Sequence, residues 1–151
     1  MLTNKEKQER YAYLKERLKR ALASGFWFEA CMIEYAIMED RTSSILYHAG
    51  IFPAEVAFSE KKMMRNKLNS IDHQIGKGHP IISKKVSQGN IQQILLWIEK
   101  RNETVHRACT HVLNDDILEQ IATEGKLLAD RLSNDSQKVR RLAQKLARVE
   151  Q

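Results

Sequence analysis

Residues that break helices are nearly absent from this chain. Its 151 residues hold only 6 glycines and 2 prolines, and most of these cluster near positions 25, 50–53 and 76–89. So few turning points favour long elements. Apolar residues spaced three and four apart mark such elements as helices rather than strands. No internal repeat, low-complexity segment or convincing strand interrupts the pattern. The expected fold is all-α, a bundle of four or five helices, formed as a single domain over residues 1–151. A hydrophobic content of 42% against 29% charged residues supplies a core and argues against disorder.

The periodicity divides the chain. A capping box at Thr3-Asn4-Lys5-Glu6 opens a first helix carrying Tyr11, Leu14, Leu18, Ala21 and Leu22, which turns at Ser24-Gly25. A second helix is expected over 26–49, with Gly50 as its stop. Its apolar line of Ala30, Ile33, Ile37 and Ile45 is interrupted by Glu34, Glu39, Asp40 and Arg41. A third is expected over 59–75, with Leu68, Ile71 and Ile75 inward and Gly76 at its end. The stretch GKGHPIISKKVSQGN then reads as irregular. A fourth helix spans 90–110. A fifth starts at the cap Asn114, ahead of Asp115 and Asp116, and carries Ile117, Ile121, Leu128 and Leu132. SNDSQ at 133–137 is expected to kink or restart it. A basic amphipathic tail follows, with Val139, Leu142, Leu146 and Val149 on one side and Lys138, Arg140, Arg141, Lys145 and Arg148 elsewhere.

Several function classes fall away. The glycines of 76–89 lack the GxxxxGK[ST] spacing and follow no strand, so they do not make a phosphate loop. No run of about eighteen apolar residues suits a membrane span, and MLTNKEKQER lacks a signal-peptide core, so a cytoplasmic protein without membrane association is expected. The 2 cysteines, Cys31 and Cys109, imply no disulfide framework and are expected as small buried hydrophobes. His106, Cys109 and His111 lie close in sequence, but His111 is rotated away from the other two on a helix. No metal site and no cofactor is expected. A net charge of +6 is compatible with a polyanionic partner and equally with a lysine-rich solvated surface.

One segment resists the packing pattern. The stripe Ile91, Ile94, Leu95, Ile98 meets Arg101 and Asn102 where apolar residues are due, and its spacing then resumes with Val105, Cys109 and Val112. Either the helix breaks there or it carries polar chemistry into a protected place. On a continuous helix Asn102 and His106 share a face, while Arg101 lines up with Val105 and Ala108. Arginine pairs with phosphate through parallel hydrogen bonds, and histidine exchanges a proton near neutral pH. Together with an orienting asparagine they suit metal-free cleavage of RNA, in which a ribose 2′-hydroxyl attacks its own phosphodiester. One histidine does not easily make both proton transfers, so a second copy across a twofold axis would complete the set.

The sequence Arg101-Asn102-Glu103-Thr104-Val105-His106 resembles the RxxxxH motif of the HEPN superfamily, in the form with a polar residue after the arginine. Those domains are small helical bundles. Many are metal-independent endoribonucleases of toxin–antitoxin, abortive-infection and CRISPR systems. The resemblance implies a homodimer with both motifs in one cleft, Arg101 and His106 catalytic, and Asn102 supporting them. It also implies RNA as substrate and an antitoxin or defence-system protein as partner. EYAIMEDR in the second helix is similar in character, and would place Glu34, Asp40 and Arg41 beside the cleft. Lys100, Arg107 and His111 are further candidate RNA contacts, as are Glu34 and Arg41. A toxin branch continues as RxxxxHxY, with a tyrosine open to modification; this chain has Ala108 there.

The leading expectation is therefore a homodimeric, metal-independent endoribonuclease acting as a toxin or phage-defence effector. The alternatives are a non-catalytic module of the same kind that binds RNA, a nucleotide or a protein, and a helical adaptor that associates through its last helix.

Overall fold

The computed structural model describes residues 2–150. Among them are seven helices and no strand: α1 (Asn4–Ala23), α2 (Trp27–His48), α3 (Ala54–Ala57), α4 (Met64–Gly76), α5 (Ile82–Lys85), α6 (Gln88–Arg107) and α7 (Asp115–Val149). Four of the long helices close a ring in which α2 packs on α7, α7 on α6, α6 on α4, and α4 on α2. α1 lies outside the ring against α2. The pairings Arg65–Glu99 and Gln88–Asp72 run α4 against α6, and Trp97–Ile121 and Asn90–Asp135 run α6 against α7. Arg17–Glu29 and Tyr11–Arg41 run α1 against α2, and Glu34–Gly125 with the Arg41–Tyr11–Ser133 junction sets α2 parallel to α7. α2, α4 and α7 therefore point one way, with α1 and α6 opposed.

Local chemistry sets the helix ends. Thr3 and Glu6 form the expected capping box, and Asn114 caps α7 by accepting from the Asp116 amide at 2.8 Å. α1, α2 and α4 each stop at a left-handed glycine: Gly25 (φ 73°), Gly50 (φ 75°) and Gly78 (φ 71°). The amide one residue beyond each glycine reaches back five residues, as in Phe26 to the Ala21 carbonyl.

The third helix departs from expectation at both ends. It begins at Met64 rather than 59, because the chain after Pro53 first makes the separate turn α3. Gly76 stays helical, and Gly78 is the stop. The irregular stretch that follows contains α5, whose Ile82 is fully buried.

α7 does not restart at 133–137 but runs as one helix from Asp115 to Val149. Serine and aspartate disrupt a helix when they bond to its own backbone. Here they find partners on other helices. Ser133 Oγ lies 2.8 Å from the Tyr11 hydroxyl, and the buried Asp135 carboxylate accepts from Asn90 Nδ2 at 3.4 Å. Along the tail, Val139 is buried, whereas Leu146 and Val149 are exposed.

Among the described residues one carboxyl is buried in the core with no partner. Glu34, expected beside a surface cleft, is 0% exposed, and neither carboxylate oxygen has a hydrogen-bond partner. It occupies space that Gly125 leaves on α7: a Cβ there would stand 2.3 Å from Glu34 Oε1 and 2.7 Å from the Trp97 ring. Desolvation pushes its pKa from 4.5 up to about 9, so the group is a neutral acid under ordinary conditions. RNA cannot reach Glu34.

Candidate functional site

The site is built on the last turns of α6. Ser87 caps the helix by accepting from the Asn90 amide at 3.3 Å, and Ile91, Ile94, Trp97 and Ile98 are buried along one side. Trp97, rather than Leu95, is the large residue of that stripe, and its indole donates to the Ile121 carbonyl at 2.8 Å. The helix does not break at Arg101-Asn102; it continues to Arg107. The apolar stripe does not resume beyond it, since Cys109 and Val112 are exposed.

Arg101 lies on the same helical line as Ile94 and Ile98 and takes the place of a core residue at the end of the ring. α4 starts about level with Glu99, through the Arg65–Glu99 pair at 3.7 Å, so the next turn of α6 faces α2 directly. The Arg101 guanidinium lies over the Tyr35 ring, 4.4 Å from its centroid. Nη1 donates to Asn102 Oδ1 at 3.1 Å, Nη2 approaches Met32 Sδ at 2.9 Å, and the buried Nε has no partner. Asn102 thus holds Arg101. His106, one turn beyond Asn102 on the same face, is exposed.

Two hollows adjoin this segment. A small cavity of about 10 Å³ lies between Arg101, Thr104, Val105, Phe28 and Cys31. It has room for about one water molecule and for no ligand. Burial pushes the neighbouring Cys31 thiol up to about 12, as suits a packed, unreactive cysteine. A groove of about 490 Å³ lies on the far side of Thr104, between α6 and the start of α7. Lys100, Arg107 and His111 all line it, whereas Arg101, Asn102 and His106 do not. Its cations are already paired: Lys100 with Glu124 at 3.4 Å and Arg107 with Glu103 at 3.1 Å. His111 Nδ1 lies 2.8 Å from Thr110 Oγ1.

The structure therefore joins Arg101 to Asn102, leaves His106 free to meet an outside group, and sets Lys100, Arg107 and His111 apart in a second hollow. Arg41 lies elsewhere, over the Tyr11 ring at 4.4 Å. Tyr35 and Met32, which seat Arg101, were not singled out from the sequence. Their spacing of three residues on α2 is the only signal they carry. Among the described residues no group of three or more His, Cys, Asp or Glu side chains is placed to hold a metal ion, and no helix is long and apolar enough to cross a membrane.

Comparison with family models, with curated proteins and with solved structures finds no match for this chain.

Proposed function

We propose that this chain is a metal-independent endoribonuclease of the HEPN type, acting as a homodimer on cytoplasmic RNA as a toxin or phage-defence effector. The observation that supports it is the arrangement at the end of α6. A guanidinium is fixed by Tyr35 and Asn102 at the open end of the bundle, with an exposed histidine on the next turn of the same helix. Arginine held in this way keeps its charge at a fixed point and can stabilise the extra negative charge of a phosphorane. His106 takes the proton of the 2′-hydroxyl, and the second histidine of the dimer delivers one to the leaving 5′-oxygen. Each chain supplies one histidine, so the reaction needs two chains. An antitoxin or defence-system protein would act by covering this face.

The proposal is tested by the products and by dilution. Cleavage should leave 2′,3′-cyclic phosphate (or its hydrolysed form) and 5′-hydroxyl ends. The rate per chain should fall when the protein is diluted below its dimerisation constant. Products with 3′-hydroxyl and 5′-phosphate ends, or a rate per chain independent of concentration in a protein shown to be monomeric, would overturn it.

A further inference from the structure

Lys100 and Arg107 beside the motif are paired with carboxylates, but a second group of cations, on the other side of α2, is largely unpaired. Three helices meet there. On α1, Lys7 and Tyr11 are one turn apart; on α2, Arg41 and His48 are two turns apart; on α7, Ser133 and Arg140 are two turns apart. The hydroxyls of Tyr11 and Ser133, 2.8 Å apart, tie α1 to α7, and the Arg41 guanidinium lies over the same tyrosine ring. Because α2 and α7 run in parallel, two turns along from this junction bring His48 and Arg140 to one level, where Lys7 stands over Phe58 at 4.1 Å.

Compensation is sparse. Asp40 takes one guanidinium nitrogen of Arg41 at 2.7 Å, while the buried Arg41 Nε has no partner. Among the described residues Lys7 and Arg140 form no salt bridge. Half-buried His48 is held below its usual pKa by desolvation, and Arg140, Arg41 and Lys7 all push it the same way. Beyond this level α7 runs on through Arg141, Lys145 and Arg148, with no acidic residue between 136 and 149. The folded chain thus gathers like charges from three helices at some cost in self-repulsion, which a bound polyanion would relieve.

We infer that Lys7, Arg41, His48 and Arg140 form a phosphate-binding shelf that holds the backbone of single-stranded RNA, with the basic last turns of α7 extending its track. Arg41 points about 180° away from Met32 around α2, and His48 lies about 20 Å along that helix from Tyr35. The shelf is therefore a separate surface from the Arg101 end, and RNA binds it whether or not the chain cleaves RNA. The four shelf residues themselves are all charged or hydrogen-bonding, which suits the phosphates of a strand; the exposed Leu146 and Val149 farther along α7 are the reason a membrane surface is included in the test.

The test uses full-length protein carrying His106→Ala, so that RNA is not consumed. Fluorescence anisotropy with a labelled single-stranded RNA is measured across a salt series. Variants Lys7→Glu, Arg140→Glu and the pair are compared with Lys84→Glu, a surface control on α5, after thermal melts establish folding. The pair should lower affinity about tenfold or more, and the slope of log K against log salt should shrink by about 1.4 for two lost phosphate contacts. The control should bind like its parent. Equal losses in the control, unchanged binding in the pair, or no RNA binding by the parent would overturn the inference. So would binding to vesicles of equal parts phosphatidylglycerol and phosphatidylcholine that is lost in the pair while RNA affinity is not. Failure of cleavage in the wild type would sink the nuclease proposal but not this one.

Discussion

Replacing Glu34 with glutamine should change how stability depends on pH. In the fold the carboxyl is fully buried against Gly125 and Trp97, with both oxygens unpartnered and a pKa pushed up to about 9 by desolvation. In the unfolded chain the same group titrates near 4.5. Between those values folding must take up a proton, so the native state loses stability as pH rises through that window. The loss is about 1.4 kcal/mol for each pH unit. From this one group it reaches roughly 3 kcal/mol at neutral pH and about 6 kcal/mol near pH 9, where the folded group itself ionises and the loss levels off. Glutamine has nearly the same shape and never ionises. It carries its own unpaired amide, which adds a constant offset, so the slope rather than the absolute difference is diagnostic. Urea unfolding of wild type and Glu34→Gln at several pH values from 4.5 to 9 should give curves that diverge steadily in favour of the variant. Two parallel curves would show that Glu34 is ionised in the fold and would refute the reasoning.

Other outcomes follow from particular contacts. Gly125→Ala should be strongly destabilising, by about 3 kcal/mol or more, because its Cβ would meet Glu34 Oε1 at 2.3 Å in a packed interior; a melting temperature within a degree of wild type would contradict this. Thr3→Ala removes the side-chain acceptor of the capping box and should cost about 1 kcal/mol in chemical denaturation. A thiol reagent should label Cys109 quickly in native protein and Cys31 only after unfolding, since the first is exposed and the second buried with its thiol pushed up to about 12; mass spectrometry of modified peptides reads the difference.

The helix ends were legible because single residues carry them. Thr3-Glu6, Asn114, Gly25 and Gly50 act through their own backbone chemistry, whatever packs around them. The restart expected at 133–137 does not occur, because the fate of Ser133 and Asp135 is decided by Tyr11 and Asn90, more than forty residues away in each case. Glu34 looked like a surface residue since carboxylates usually are. Its burial depends on a small residue at 125, and no periodicity links the two positions. The apolar line beyond Arg101 was misleading for a similar reason: Val112 fits the helical period, but α6 ends at Arg107 before reaching it. The candidate site was legible as a motif and not as a place. Its seat on Tyr35 and Met32, and the ion pairs that occupy Lys100 and Arg107, appear only once α6 is set against α2 and α7.

The proposed cleavage of RNA by Arg101 and His106 requires no metal. The most direct test is RNA cleavage in EDTA by wild type, His106→Ala, Arg101→Ala and Arg101→Lys, each first shown to be folded by its thermal melt. Wild type should cleave without metal, both alanine variants should lose cleavage, and Arg101→Lys should lose most of it, because its point charge cannot make the paired bonds of a guanidinium. No cleavage by wild type across varied RNAs, or equal cleavage by all four proteins, would contradict the proposal.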